Sequence, residues 1–218
     1  MSSRQQILDA IDRERLVAIV RGLDTEKVLT AVSAFYSEGL RLVEVTCNSP
    51  GAFNTIRALC DTYGDSLYVG AGTVLDVESV QAAREAGARF VLSPDTDEAV
   101  IAATRGAGMV SVPGAFSASE VRTAVRAGAD IVKIFPAGSV GPSYIKDLLG
   151  PLNDSRFMVV GGVDLDNLAA FFKAGAMSAG IGSALVDKKL IAAGDTAGLA
   201  ALARRFLDTV AEATGGHA

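Results

Sequence analysis

The stretch Arg126-Ala-Gly-Ala-Asp-Ile-Val-Lys-Ile-Phe-Pro136 decides the fold of this chain. Gly128 is placed to end a helix, because glycine adopts the left-handed backbone of a closing helical turn without strain. The apolar run that follows is typical of a short buried strand, and a proline ends it. The same helix end, a charged residue followed by Ala-Gly-Ala, recurs at 85–89 and 173–177. This recurrence indicates repeated βα units and a parallel sheet.

Eight apolar runs of this kind occur along the 218 residues, and each is predicted to be a strand. The predicted strands are Val17–Val20, Leu42–Val45, Tyr68–Ala71, Phe90–Leu92, Met109–Val112, Ile131–Ile134, Phe157–Val160 and Ser178–Ile181. The helical windows between them are Glu26–Ser37, Ala52–Tyr63, Val77–Glu85, Asp97–Arg105, Ser119–Arg126, Ser143–Leu149 and Leu165–Lys173. Units of about 27 residues fit a small (β/α)8 TIM barrel, an α/β fold that takes up residues 1–218 as one domain.

An open doubly wound sheet is the alternative to the barrel. Its dinucleotide-binding members carry a GxGxxG fingerprint after the first strand. The pairs Gly70-Ala-Gly72 and Gly180-Ile-Gly182 do not extend to that pattern. The barrel is therefore the preferred prediction.

The two ends of the chain are expected to lie outside the barrel wall. The helix Gln5–Arg13, within residues 1–15, is predicted to cover the barrel bottom, and residues 214–218 to form a disordered tail. Charges are too frequent in the first residues for a signal peptide, and no later run is long enough to cross a membrane. Only two cysteines occur, which suits a reducing compartment. The sequence predicts a cytoplasmic protein without membrane contact.

Composition restricts the chemistry and the partners. A net charge of -5 argues against nucleic acid or an anionic membrane surface, so small molecules are the expected partners. The one histidine, His217, is penultimate, and its place excludes a Ser-His-Asp triad, a Cys-His dyad and an HExxH zinc site. We expect no metal and no organic cofactor; an ion held by carboxylates alone is the alternative. Hydrophobic residues make up 50% of the chain, which points to a large buried fraction or a buried subunit interface.

Strand parity places two ionisable side chains inside the predicted barrel. In Leu42-Val-Glu-Val-Thr46 the two valines suit the helix layer, which turns Glu44 inward, and in 131–135 the same alternation turns Lys133 inward. By the same alternation Arg21 shares the face of Ile19, and Thr73 shares the face of Ala71. Both side chains are predicted to point toward the site. Because burial disfavours the charged amine, the pKa of Lys133 is expected to fall toward the range of a nucleophile. A buried ion pair between Lys133 and Glu44 is the structural alternative.

Glycine pairs follow the last two predicted strands. Gly161 and Gly162 follow the seventh strand, and Gly182 and Ser183 follow the eighth, each pair opening a predicted helix. In (β/α)8 barrels the loops after these two strands commonly hold a phosphate on bare backbone N–H groups and a helix N-terminus. The pattern predicts a phosphorylated ligand, with tight βα turns as the alternative interpretation.

These residues resemble the 2-keto-3-deoxy-6-phosphogluconate and 4-hydroxy-2-oxoglutarate aldolase family, in order, from about residue 16 to residue 185. The motifs that carry the resemblance are Glu44-Val-Thr, Gly70-Ala-Gly-Thr73-Val-Leu, Ser93-Pro94, Pro113-Gly114, Lys133-Ile-Phe-Pro136 and Gly161-Gly162. The resemblance implies a class I aldolase, usually a homotrimer, that releases pyruvate. It implies Lys133 as the Schiff-base lysine, Glu44 as the general acid/base and Thr73 as the holder of the pyruvyl carboxylate. It places the phosphate at the two glycine pairs.

Two departures from the gluconate enzymes point to a substrate. Asn48 stands where those enzymes carry an arginine, and Val160 stands where they carry a threonine. Both changes are similar to the 2-dehydro-3-deoxy-6-phosphogalactonate branch, whose substrate differs at C4. Loss of the arginine leaves Arg21 as the expected cationic partner of the carboxylate, and Pro94 and Phe135 complete the expected substrate contacts.

The expected reaction yields pyruvate and D-glyceraldehyde 3-phosphate. The alternatives within this class are the gluconate epimer and 4-hydroxy-2-oxoglutarate as substrates, and a metal-dependent pyruvate aldolase. A phosphate-binding barrel without catalysis is the alternative from another class.

Overall fold

The computed structural model describes residues 3–216, which form a parallel α/β barrel with an added N-terminal helix. The strands of this part are β1 (Leu16–Val20), β2 (Leu42–Thr46), β3 (Tyr68–Gly72), β4 (Phe90–Leu92), β5 (Val110–Val112), β6 (Gly114–Ala115), β7 (Val132–Ile134), β8 (Phe157–Val160) and β9 (Ser178–Ile181). The α-helices are α1 (Ser3–Glu14), α2 (Thr25–Ser37), α3 (Ala52–Tyr63), α4 (Val77–Glu85), α5 (Glu98–Gly106), α6 (Ala118–Ala127), α7 (Pro142–Leu149), α8 (Leu168–Lys173), α9 (Lys188–Ala193) and α10 (Thr196–Thr214).

All strand pairs are parallel, in the order β5-β4-β3-β2-β1-β9-β8-β7-β6. The two ends of this order are consecutive in the chain, so β5 and β6 are halves of one barrel strand. The N–H groups of Asp130 and Lys133 donate to the carbonyls of Ser111 (3.0 Å) and Pro113 (2.8 Å), which closes the ring next to β7. The prediction of a (β/α)8 barrel is confirmed, and the open sheet is excluded.

The fifth strand differs from its prediction as one run, Met109–Val112. Pro113 has no N–H to donate and interrupts the strand. Beyond it, Gly114 and Ala115 resume pairing with Lys133 and Ile134 as β6. The carbonyl of Pro94 approaches so closely that a Cβ at residue 114 would overlap it, and glycine is required there.

Side chains alternate between two buried layers, as strand geometry dictates. One apolar cluster fills the barrel and includes Ile19, Leu42, Phe90, Val112 and Met158. The larger cluster lies between the strands and the helices. Among the inward-facing apolar residues, Glu44 stands in the middle of β2 and Lys133 in the middle of β7.

Helix α1 packs against the barrel filling. Ile7, Leu8 and Ile11 are buried in the same cluster as the inward-facing strand residues. Arg4 forms an ion pair with Asp130, and the Asp130 carboxylate also accepts the N–H of Ser111 (2.9 Å). These contacts hold the helix against the end of the barrel at which the strands begin.

The C-terminal part contains two helices that the predicted windows leave unassigned, α9 and α10. The carboxylates of Asp187 and Asp195 accept backbone N–H groups at their starts and cap them. Of the tail predicted at 214–218, Thr214 is the last residue of α10, and residues 217–218 lie outside the described part of the chain. Among residues 3–216 no helix has both the length and the apolarity needed to cross a bilayer.

Candidate active site

Glu44 on β2 and Lys133 on β7 lie on opposite sides of the barrel. Three strands separate them in either direction when β5 and β6 are counted as one. Both side chains point inward, since the valines beside Glu44 and the neighbours Val132 and Ile134 pack in the outer layer. Glu44 is 1% exposed and Lys133 is 5% exposed. The structure therefore encloses an amine and a carboxyl group within one apolar core, as strand parity predicts.

The Glu44 carboxyl group rests against the backbone of β3. Any Cβ at Gly72 would overlap Oε1 of Glu44, so only glycine leaves room for the carboxyl group. Oε2 is buried and has no hydrogen-bond partner among residues 3–216. Burial raises the pKa of Glu44, and the positive charges of Lys133 and Arg21 oppose that rise. The group can therefore carry a proton at a pH where an exposed glutamate has lost it.

The Lys133 amine is buried beside an aromatic ring. Its Nζ lies over the Phe135 ring, 4.9 Å from the ring centroid. Burial lowers the pKa of Lys133; Glu44 and Asp95 oppose this effect, and Arg21 adds to it. No ion pair within 4.0 Å joins Lys133 to Glu44, so the structural alternative of a direct buried pair does not describe this chain. The amine is available as a neutral nucleophile at a lower pH than an exposed lysine.

Arg21 and Thr73 meet above this pair. Nη2 of Arg21 donates to Oγ1 of Thr73 at 3.1 Å. The parity alignment of Thr73 with Ala71 as inward residues is wrong, because Ala71 belongs to the outer layer and the glycines of β3 face inward. Thr73 reaches the site by another route: β3 ends at Gly72, and a left-handed backbone (φ 56°) turns the Thr73 side chain toward Arg21.

The two predicted phosphate loops lie after β8 and β9 and offer bare amides. Within residues 3–216, the N–H groups of Gly161, Gly162, Gly182 and Ser183 donate to no protein acceptor. Gly161 and Gly162 have left-handed backbones, with φ of 85° and 72°. The Phe135 ring and Gly138 approach them so closely that side chains there would collide.

The expectation that each glycine pair opens a helix is wrong. After β8, Oδ1 of Asp164 accepts the N–H groups of Asp166 and Asn167, and this turn delays α8 to Leu168 instead of Leu165. After β9, the Gly182 carbonyl accepts the N–H groups of residues 185 and 186 in a single turn, well before α9. The N–H groups that could hold an anion therefore belong to turns.

The remaining predicted substrate contacts lie at the same end of the barrel. Asn48 is exposed in the turn after β2, and Pro94 and Phe135 are half-buried just after β4 and β7. Val160 is 5% exposed at the end of β8, in the inner cluster. All of these positions stand at or just beyond the carboxyl ends of strands, where a ligand in the barrel mouth would contact them.

Thr46 and Ser49 are two polar residues that the sequence analysis does not select. Both are buried, and their hydroxyl groups lie 2.9 Å apart. The available signal was parity, because Thr46 shares the inward face of Glu44.

Cys47 is not suited to act as a nucleophile. Burial raises its pKa to about 12, so its thiol stays protonated near neutral pH. Within the described residues no group of three His, Cys, Asp or Glu side chains is arranged to hold a metal.

The chain is similar to known proteins in both sequence and structure. The family model described as "Aldolase: KDPG and KHG aldolase" matches residues 7–202. The 2-dehydro-3-deoxy-6-phosphogalactonate aldolase of Escherichia coli (strain K12) is 42% identical over 171 residues, covering 78% of this chain and 83% of that protein. The 2-dehydro-3-deoxy-phosphogluconate aldolase of Treponema pallidum (strain Nichols) is 36% identical over 205 residues, 94% of this chain and 97% of that protein. The solved structure "Native KDPGal structure" superposes with a TM-score of 0.86 at 38% identity, covering 92% of this chain and 96% of that one.

Proposed function

The chain belongs to the KDPG and KHG aldolase family, and on this premise we propose that it cleaves 2-dehydro-3-deoxy-6-phosphogalactonate into pyruvate and D-glyceraldehyde 3-phosphate. The observation that carries the proposal is the buried amine of Lys133 facing the buried carboxyl of Glu44 across one barrel. Family membership makes the chain a lyase, so the alternative of a barrel without catalysis is set aside.

Substrate binding uses the two anionic ends of the sugar acid. Arg21, oriented by its hydrogen bond to Thr73, takes the carboxylate at C1. The free amides of the Gly161–Gly162 and Gly182–Ser183 turns take the phosphate at C6. Anchoring both ends fixes the C2 ketone and the C4 hydroxyl between Lys133 and Glu44, and this orientation is itself a large part of the catalysis.

Imine formation begins when the neutral Lys133 amine attacks the C2 carbonyl carbon. Nζ forms a bond to C2, the ketone oxygen gains a proton, and the carbinolamine then loses water to give an iminium. Glu44 supplies and removes these protons, directly or through a water molecule. Its raised pKa suits this task, because a carboxyl group exchanges protons best when its pKa approaches the working pH.

Carbon–carbon cleavage follows from the iminium. The Glu44 carboxylate takes the proton of the C4 hydroxyl, the C3–C4 bond breaks, and its electron pair passes to the iminium nitrogen as an enamine forms. Glyceraldehyde 3-phosphate leaves. Protonation of the enamine at C3 and addition of water then release pyruvate and restore the Lys133 amine, so protons and electrons balance over the cycle.

The preference for the galactonate epimer rests on Asn48 and Val160. An arginine and a threonine hydroxyl placed for one C4 epimer are left unpaired when the other epimer binds, and this chain carries neither group at these two positions. The relative named a galactonate enzyme has the higher identity to this chain, and the relative named a gluconate enzyme matches over more of it. The gluconate epimer is therefore the second candidate substrate.

A pyruvate-release assay with the two epimers tests the assignment. We expect the parent to have the higher kcat/KM for the galactonate, and the Asn48→Arg and Val160→Thr variants to shift the ratio toward the gluconate by about tenfold. Asn54→Ala, on the first turn of α3, serves as the control that leaves the ratio unchanged. Higher kcat/KM for the gluconate in the parent would reverse the assignment of substrate and leave the lysine chemistry intact.

A further inference from the structure

The turns after β1 and β2 are joined by a chain of hydrogen bonds through two hydroxyl groups. The N–H of Gly22 donates to Oγ of Ser49 at 2.8 Å. Oγ of Ser49 lies 2.9 Å from Oγ1 of Thr46, the last residue of β2, and the N–H of Ser49 donates to the Thr46 carbonyl at 2.9 Å. Thr46 is fully buried and Ser49 is 8% exposed, so water competes little for the bond between their hydroxyl groups. Gly22 is exposed, and its bond to Ser49 is partly buried.

This chain ends at the residue next to Arg21. Gly22 has a left-handed backbone (φ 66°), which makes the turn after β1 sharp and directs its N–H toward Ser49. Arg21 is thus restrained twice, at its guanidinium by Thr73 and at its backbone, through Gly22, by Ser49. Because Thr46 is two residues beyond Glu44 on the same inward face, the network also ties the position of Arg21 to that of Glu44.

We infer that Ser49 is a positioning residue, which holds Arg21 at the place where it meets the substrate carboxylate. The inference rests on the proposed role of Arg21 in carboxylate binding and adds the group that enforces it. A guanidinium on a flexible stem loses rotational freedom when it binds an anion. If the backbone at Arg21 is already fixed before binding, less conformational freedom is lost when the anion binds. Because Ser49 fixes that backbone through Gly22, the affinity for the carboxylate depends on Ser49.

The test follows imine trapping with pyruvate and borohydride in the full-length protein, at a series of pyruvate concentrations. Ser49→Ala removes the acceptor for the Gly22 N–H. We expect the pyruvate concentration for half-maximal trapping to rise about three- to tenfold, the effect of one lost hydrogen bond, while the maximal rate changes little. Ser49→Thr keeps the hydroxyl and is expected to stay near the parent value.

A matched control lies between the same two βα units. Oγ1 of Thr25 and Oγ1 of Thr55 lie 2.7 Å apart and join α2 to α3, and Thr55 is 1% exposed. Thr55→Val removes the buried hydroxyl of this pair without touching the turn at Gly22. It is expected to lower the thermal midpoint as much as Ser49→Ala does and to leave half-maximal trapping unchanged. An equal rise in both variants would mean general loosening and would overturn the inference.

The decisive comparison uses Arg21→Ala as a background. If Ser49 acts through Arg21, adding Ser49→Ala to Arg21→Ala causes no further rise, and the two changes are not additive. A further rise equal to that in the parent would overturn the inference. An unchanged half-maximal concentration in Arg21→Ala alone would contradict the carboxylate role and the inference with it. If the half-maximal pyruvate concentration rises in Arg21→Ala but not in Ser49→Ala, the inference about Ser49 is overturned and the proposed role of Arg21 stands.

Discussion

Lys133 and Glu44 are both held where their charged forms are disfavoured. Burial is the leading cause in each case, lowering the pKa of the amine and raising that of the carboxyl group. The two shifts move in opposite directions and both favour uncharged groups near neutral pH. A neutral amine and a carboxyl group able to gain or lose a proton are the two reagents that imine chemistry requires.

The neighbours of Lys133 predict how its titration responds to substitution. Above the pKa of Glu44 its negative charge stabilises the ammonium form, so Glu44→Gln is expected to lower the pKa of Lys133 further. The charge of Arg21 acts in the opposite sense, and Arg21→Met is expected to raise that pKa. The trapping rate at saturating pyruvate is measured as a function of pH. The pH at which this rate reaches half of its plateau should therefore be lower in Glu44→Gln and higher in Arg21→Met than in the parent. Shifts in the same direction would contradict the electrostatic account.

Gly72 leaves the space that the Glu44 carboxyl group occupies, and a larger residue there is expected to reduce activity. In Gly72→Ala the added methyl group would overlap the Glu44 carboxyl group, so Glu44 must move, and kcat is expected to fall about a hundredfold, the range of a lost general acid/base. Gly106→Ala is the control, because a Cβ there contacts nothing and the site lies on a distant helix. It should leave kcat unchanged and stabilise the fold slightly. An unchanged kcat in Gly72→Ala would show that the fit between β3 and Glu44 is not required.

At the scale of elements, α1 fills the end of the barrel opposite the proposed site. Ile11 is completely buried among inward-facing strand residues, and Gln6 lies on the exposed face of the same helix. The helix is therefore expected to contribute to stability and to have little influence on the catalytic groups.

Ile11→Ala is expected to reduce the free energy of unfolding by about 2–5 kcal/mol, the cost of a large-to-small change in a core. Gln6→Ala should change it by less than about 0.5 kcal/mol. Urea unfolding of both variants measures the difference, and kcat under native conditions should equal that of the parent in each. A large fall in kcat for Ile11→Ala at a temperature where it is folded would mean that α1 influences the site.

Regular elements were predictable from the sequence because a helix-ending glycine followed by a short apolar run is typical of a helix that leads into a buried strand. The starts of β2, β3, β4, β8 and β9 coincide with their predictions. In β3 the inward face is made of glycines, so no apolar pattern marks it and parity assigns Ala71 to the wrong face. Thr73 reaches the site because its left-handed backbone ends the alternation. The break at Pro113 and the Ser49 bond to Gly22 depend on close backbone approach between distant segments, which periodicity does not report.

At the scale of the whole molecule, apolar surface remains after the barrel is complete. Leu75, Phe116 and Val125 are large hydrophobic residues that are 56%, 43% and 39% exposed. The Phe116 and Tyr144 rings lie 6.2 Å apart, and the Tyr144 hydroxyl donates to the Phe116 carbonyl. Such groups are suited to burial between subunits.

We expect a homotrimer with an apolar interface, as the resemblance to the family implies. Sedimentation equilibrium at micromolar concentration should give three times the chain mass of 22.4 kDa. Phe116→Glu should lower the association constant if this surface contributes, because a carboxylate would be buried without a partner. A monomer at the same concentration would contradict the expected assembly.

In the proposed cycle Lys133 forms the imine with pyruvate. Intact-mass spectrometry after borohydride reduction in the presence of pyruvate tests it most directly, with Lys133→Met and the surface variant Lys146→Met treated in parallel. The predicted result is one reduced pyruvyl group per chain in the parent and in Lys146→Met, mapped by peptide digestion to Lys133, and none in Lys133→Met. An unmodified parent, or a pyruvyl group that persists in Lys133→Met, would contradict the account.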